Sequence, residues 1–264
     1  YFGVLSACTA EFAGPVDIAS DVNFRLDMFK TKVVFSGGGT FAGRFQSYEC
    51  DITITNKPLA VNFRDTPCGT TTVRFFVGGN AVNAFTPASY AHSVEFHADD
   101  AFAGNETEFL VKFHWGNGHY YGSTINLNGH SQRLGTLRSS VAQPRDATLS
   151  PFEVTPTGNS RITSDGPATL FVNQMADGVI IVPFMGQAAL AKGGPATLVM
   201  SNTTHTATAP LAVTGGILEL FDASWPNATG VTVDATAGTD ATLKLTAGPD
   251  ARATIFPKKI PFTL

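Results

Sequence analysis

The sequence predicts an all-β protein wound as a parallel β-helix, with a β-sandwich as the alternative architecture. Three observations point that way. First, one short phrase recurs between turn residues: Ala168-Thr169-Leu170-Phe171-Val172, Ala196-Thr197-Leu198-Val199-Met200, Ala241-Thr242-Leu243-Lys244-Leu245 and Ala253-Thr254-Ile255-Phe256, with a weaker copy at Ala147-Thr148-Leu149. Repeated strand-plus-turn units mark solenoids, where each unit covers the open face of its neighbour; a sandwich has no need of them. Second, short alternating runs are cut at intervals by Gly, Pro, Asn and Asp. Third, His92 and His114 stand 22 residues apart, as do His97 and His119. Residues one coil apart stack about 4.8 Å from each other. A uniform coil of about 22 residues then gives about 12 coils and a rod of about 55–60 Å.

Taken in order, residues 1–20 carry few regular signals. Phe12, Pro15 and Ile18 suit an N-terminal cap over the first coil of a β-helix spanning 21–264. Val22–Met28 alternates, and Val33-Val34-Phe35 runs into Ser36-Gly37-Gly38-Gly39, a turn. Asp51–Thr55, Leu59–Arg64, Thr72–Val77, Val94–Ala98 and Phe109–Trp115 read as further strands. No segment of 12 or more residues shows a 3.6-residue period. Between 139 and 160 the pattern loosens around Gln143-Pro144-Arg145-Asp146 and Thr155-Pro156-Thr157-Gly158-Asn159. Because the same strand style resumes at Arg161, this stretch reads as a long loop of one solenoid, with a subdivision there as the alternative. In the phrases themselves, Leu170, Leu198 and Leu243 are expected to point inward as rungs of one ladder, with the threonines outward.

The bulk composition narrows the function. Charged residues make up 14% of the 264 residues and apolar ones 43%, against about 25% charged in an average soluble domain. Polarity comes from Thr, Asn, Ser and Gly, as strands and turns require. The net charge of -4 and the absence of a basic run argue against a nucleic-acid partner. Val179–Met185, the longest apolar candidate, is short and interrupted by Pro183, so no membrane insertion by this segment is expected. A start at Tyr1 without Met or a basic leader suits a mature or trimmed secreted product. Cys8, Cys50 and Cys68 show no CxxC spacing, which disfavours zinc. In an oxidising compartment either Cys50–Cys68 or Cys8–Cys50 would form one disulfide and leave one thiol. Three small buried hydrophobes are the plain alternative.

Thr124-Ile125-Asn126-Leu127-Asn128-Gly129-His130-Ser131-Gln132-Arg133-Leu134-Gly135-Thr136-Leu137 resembles the autotransporter-associated β-strand repeat of large bacterial surface proteins. That pattern runs strand, Leu-Asn-Gly, two variable residues, Gln, then a Leu-Gly-x-Leu strand. Gly194–Leu198, Thr214–Leu220 and Val231–Leu245 continue the likeness, which covers about residues 120–250. The resemblance implies a right-handed parallel β-helix exported to the cell exterior, and no catalytic residues. The leading expectation is a structural or adhesive module without a cofactor, self-associating through the unpaired edge of an open coil or engaging surface glycans. The first 120 residues, richer in Phe, His and Cys, depart from it and leave room for a specialised binding region.

Three constellations carry candidate chemistry. Five of the six histidines lie between His92 and His130, near Asp99, Asp100, Glu106 and Glu108. Such groups bind metal or move protons, but no HxH, HxxxH or HExxH spacing is present, and scattered surface histidines explain them as well. Trp115-Gly116-Asn117-Gly118-His119-Tyr120-Tyr121 concentrates aromatic rings beside Asn and His, which suits a sugar ring; a turn with packing aromatics is its plain counterpart. His97, Asp99, Trp115, Asn117, His119 and Tyr120 are therefore the candidate ligand-binding residues. The rival function is a polysaccharide-degrading β-helix using Asp51, Asp65, Asp99 or Asp100 with Arg44, Arg64 and Arg74; turn aspartates are the simpler account. A trimeric viral fibre is a third.

Overall fold

The computed structural model describes residues 2–4, 9–18, 23–37, 39–41, 44–54, 59–61, 74–77, 93–96, 99–100, 108–116, 119–121, 124–142, 160–201, 203–236, 239–247, 256 and 261–263. Side-chain environments are described for 9–17, 34, 36–37, 96, 99–100, 124–139, 160–201, 203–236, 239–247, 256, 261 and 263.

The chain folds as a parallel β-solenoid, all strand and turn among the described residues. The main sheet passes in hydrogen-bonded succession through Phe2–Val4, Asn23–Phe35, Arg44–Ile54, Arg74–Val77, Ser93–Phe96, Thr124–Asn126, Arg161–Asn173, Phe184–Gly193, Leu211–Val213, Val231–Val233 and Phe262–Thr263. Every pairing along it is parallel. A second, wholly parallel sheet joins Gly178–Ile180, Thr197–Ser201, Gly216–Phe221 and Ala241–Thr246. The sandwich alternative is set aside, because its sheets are antiparallel. Among the described strands the one antiparallel pair is Glu108–Gly116 with His119–Tyr121.

The register gives each coil's length directly. Ile162 pairs with Phe184, Leu190 with Leu211 and Leu211 with Val231, offsets of 22, 21 and 20 residues. About four regular turns therefore lie between Arg161 and Thr246. A uniform 22-residue coil does not extend further: Phe75 pairs with Val94 at an offset of 19, Ser93 with Thr124 at 31 and Thr124 with Arg161 at 37. The equal histidine spacings therefore do not mark the coil length, since the coil leaving Ser93 returns 31 residues later. His114 lies opposite Tyr121 and Ala142 instead.

The repeated phrases divide between two ladders. Ala168-Thr169-Leu170 lies on the main sheet opposite Ala188-Ala189-Leu190. Thr197-Leu198 and Thr242-Leu243 lie on the second sheet, two coils apart, with Ile217-Leu218 between them. Leu170 and Leu198 are buried as expected, and Leu243, at the sheet's end, is partly buried against the core. The interior is built of inward rows in register. Leu170, Leu190, Leu211 and Val231 form one row, Leu198 with Leu218 and Met200 with Leu220 two others, all buried. Each such side chain contributes about 1.5–3 kcal/mol.

Leu127-Asn128-Gly129 forms a tight turn. Asn128 and Gly129 both have left-handed backbone, φ 52° and 79°, and the His130 amide donates to the Leu127 carbonyl at 2.8 Å. Asn and Gly tolerate positive φ at least cost, which is why this dipeptide sits there. Asn128 also donates from Nδ2 to the Phe96 carbonyl at 3.1 Å, tying the turn to the preceding coil. At the N-terminus, Phe2–Val4 and Thr9–Phe12 pair with Asn23–Phe35, so both strands extend the main sheet. Residues 143–159, where the sequence allows a subdivision, lie outside the described residues.

Candidate functional site

The turns at 99–100 and 128–131 bring polar side chains to one edge of the main sheet's outer face. Asp99 Oδ1 accepts from the Ser131 amide at 2.7 Å and lies 3.6 Å from His130 Nδ1. The Asp100 amide donates to the Ser131 carbonyl at 2.9 Å. The Asp100 carboxylate forms an ion pair with Arg133. The Arg133 guanidinium in turn lies 5.0 Å above the Phe171 ring centroid, a cation–π contact of about 0.5–1 kcal/mol at an exposed position.

Strand alternation decides which side chains meet solvent here. In Arg161–Asn173 the residues Phe171 and Asn173 face outward while Leu170 and Val172 face the core. Along the stacking direction the outward row reads Arg133, Phe171, Ala191, Ala212. The neighbouring row reads Asn173, Gly193, with Thr214 Oγ1 3.1 Å from where a Gly193 Cβ would stand. Side chains thus shrink to a methyl and a hydrogen between two taller walls. The result is a groove of about 270 Å³ lined by Arg133, Phe171, Asn173, Ala191, Gly193 and Thr214. Walls two strands apart stand about 9.6 Å from each other. Phe171 is 37% exposed, so the ring is offered to solvent rather than packed in the core. Asn173 Nδ2 lies 3.5 Å from Met175 Sδ, a weak acceptor, and Thr214 Oγ1 makes a long contact of 3.4 Å to the Lys192 carbonyl. Both are readily exchanged for a better partner.

Beneath the groove lies Lys192. It occupies the inward row between Val172 and Val213 and is fully buried. Its Nζ donates to the carbonyls of Gly194, Ala196 and Gly215 at 3.0, 2.5 and 2.7 Å. Three donors meet three acceptors, so the turns at 193–196 and 214–216 are tied to one ammonium. Burial pushes the Lys192 pKa down to about 8, partly offset by the Asp177 carboxylate. The folded value lies below the ordinary one of 10.5, so between pH 8 and 10.5 the unfolded chain holds more protons and stability rises with pH. Below pH 8 the lysine is charged in both states and its contribution is constant. We expect wild type to gain stability relative to Lys192→Met across that window, and the difference between them to be flat below it. Denaturant unfolding at intervals from pH 7 to 10.5 measures it.

Of the residues singled out in the sequence, Asp99 is exposed and engaged as described. The hairpin places Trp115 opposite Tyr120 and Gly116 opposite His119. Their side chains, together with His97 and Asn117, lie outside the described residues. Cys50 stands opposite Thr31 on the main sheet, and Cys68 lies outside the described residues, so the disulfide does too. Asp51 neighbours Lys32 and Arg74 in register. Phe171, Asn173, Thr214 and Lys192 were not among the residues the sequence singled out. The alternation of Leu190-Ala191-Lys192-Gly193 already places Lys192 inward, and the glycines after it signal a turn whose carbonyls need donors. Compared with protein-family models, with curated proteins and with solved structures, the chain matches none.

Proposed function

We propose that the chain is a β-solenoid module of a bacterial extracellular surface protein, rigid along its ladder and adhesive through the groove, which receives one sugar ring of a surface glycan. The observation that carries this is the outward slot walled by the exposed Phe171 ring. A pyranose has an apolar C–H face and equatorial hydroxyls. The free face of Phe171 suits the first, and the Asn173 amide and Thr214 hydroxyl suit the second. The bare floor at Ala191 and Gly193 lets the ring approach the backbone. The Asp100–Arg133 pair holds one side of Phe171, so the ring is oriented before a ligand arrives, which limits the ordering cost of binding. The likeness to exported surface repeats over residues 120–250 supports the location.

Phe171→Ala is expected to weaken glycan binding about ten-fold, a loss of about 1.4 kcal/mol. Because the ring is 37% exposed and carries the Arg133 contact, stability should fall by only about 1–2 kcal/mol, leaving the variant folded for the binding comparison. Screening wild type and variant against neutral and acidic oligosaccharides, then titrating the best ligand while following the Asn173, Gly193 and Thr214 amides by NMR, tests this. A ligand that binds both forms equally, or no ligand in the panel, would remove the adhesive half of the proposal.

A further inference from the structure

One corner of three successive coils is built from aromatic rings. Phe184, His205 and Trp225 are spaced 21 and 20 residues apart and are all fully buried. The His205 and Trp225 rings stack with centroids 4.9 Å apart and planes at 28°. Phe184 lies 6.0 Å from His205 and 5.6 Å from Trp225. Backbone bonds knit the same corner. The His205 amide donates to the Ser224 carbonyl at 2.7 Å, the Ala207 amide to the Phe184 carbonyl at 3.0 Å, and Trp225 Nε1 to the Ala207 carbonyl at 3.0 Å.

The decisive contact is between His205 Nδ1 and the Phe184 amide, which donates to it at 3.1 Å. A nitrogen that accepts carries its lone pair, so the imidazole is neutral with its proton on Nε2. A proton added at Nδ1 would set one N–H against another at hydrogen-bond distance. It would also place a charge in a site closed to water, at the cost of desolvating an ion. The rings facing the imidazole from the coils on either side, Phe184 and Trp225, are uncharged. Its own segment, Thr203 to Ala207, brings hydroxyls and a methyl.

We propose that His205 is an acid-sensitive lock: proton uptake at Nδ1 breaks its bond to the Phe184 amide and releases the corner that ties three coils together. The sign is fixed by linkage. In the unfolded chain a histidine takes up its proton near pH 6.5, whereas the folded ring is held neutral by the bond it accepts. Below about pH 6.5 the unfolded state therefore binds one proton more than the folded one, and the folding constant falls about ten-fold per pH unit. The release also reaches the groove, because strand Phe184–Gly193 starts at this corner and supplies its floor. The lock itself stands independently of what the groove binds.

The test compares wild type with His205→Gln, whose side-chain oxygen still accepts from the Phe184 amide but does not titrate. Folding constants from urea unfolding at pH 8, 7, 6 and 5 give the ratio of the two proteins, in which carboxylate effects cancel. A constant ratio above pH 6.5 and a ten-fold fall per unit below it is the expected result. Parallel curves down to pH 5 would overturn the proposal. Should the glutamine variant not fold, the nitrogen-15 shifts of the wild-type imidazole decide. Nδ1 unprotonated in the folded protein at pH 6 is expected, and an imidazolium at that pH in an intact fold would overturn it.

Discussion

Replacing Trp225 with alanine is expected to cost about 3–5 kcal/mol, the range for removing a large aromatic from a core. Trp225 is fully buried and its ring is covered by His205 and Phe184. Three losses coincide. The apolar area returns to water, a cavity remains between two coils, and the Ala207 carbonyl loses the indole N–H at 3.0 Å. Phe184 and His205 stand on the two preceding coils, so the gap opens contacts to both at once. Trp225→Phe separates the contributions. It retains most of the packing and removes the donor, and should cost about 1–3 kcal/mol for the carbonyl left unpaired. Denaturant unfolding followed by circular dichroism measures both. A Trp225→Ala cost below about 1 kcal/mol, far under the usual range for a buried aromatic, would show that this corner is not part of the cooperative core.

The second large effect belongs to a residue without a side chain. Gly216→Ala is expected to cost about 2–4 kcal/mol, combining backbone strain with steric overlap. Gly216 has φ 59°, and left-handed backbone costs an L-residue about 1–2 kcal/mol. A Cβ there would also stand 2.4 Å from the Gly194 carbonyl oxygen, 2.7 Å from that of Ala196 and 2.5 Å from Lys192 Nζ. Two of these neighbours are backbone atoms that Lys192 itself holds in place, so relief requires moving the carbonyls that surround a buried ammonium. Gly14→Ala serves as the control, since a Cβ at Gly14 meets nothing within 4 Å, and it should change stability by less than about 0.5 kcal/mol. Equal effects of the two substitutions in denaturant unfolding would refute the account of Gly216.

How much was legible in advance depended on which physical signal each feature used. The parallel solenoid showed itself in Ala-Thr-Leu phrases followed by turns, because a strand covered on one face must alternate and its coil must turn. The burial of Leu170 and Leu198 followed from the same alternation. Coil length did not, because nothing local sets it. The path from Thr124 to Arg161 is 37 residues and that from Leu211 to Val231 is 20, and both return the chain to the same sheet. Equal spacing of His92 with His114 and of His97 with His119 therefore misled, while the spacing that stacks rings joined three different residue types, Phe184, His205 and Trp225. His205 stands in phase with the buried Ala207, Ala209 and Leu211, but alanines among threonines make a faint apolar rhythm, and a histidine speaks for the surface. Lys192 was hidden by its charge, which speaks for the surface even where its position speaks for the interior. The groove was hidden because a recess is made by the residues that are small, and Ala191 and Gly193 gain meaning only from the taller Phe171 and Thr214 in adjacent strands.

The all-parallel ladder has a mechanical consequence. Its hydrogen bonds point along the stacking direction, so a pull from end to end loads them in series, one coil after another, rather than shearing many at once. Each regular coil of 20–22 residues would release about 70 Å of chain on letting go, at about 3.3–3.6 Å per extended residue. Between the coils joined by Phe184, His205 and Trp225 the peeling front would meet its strongest catch. Under tension the stack would behave as an extensible tether, lengthening in steps and holding where the aromatic corner holds.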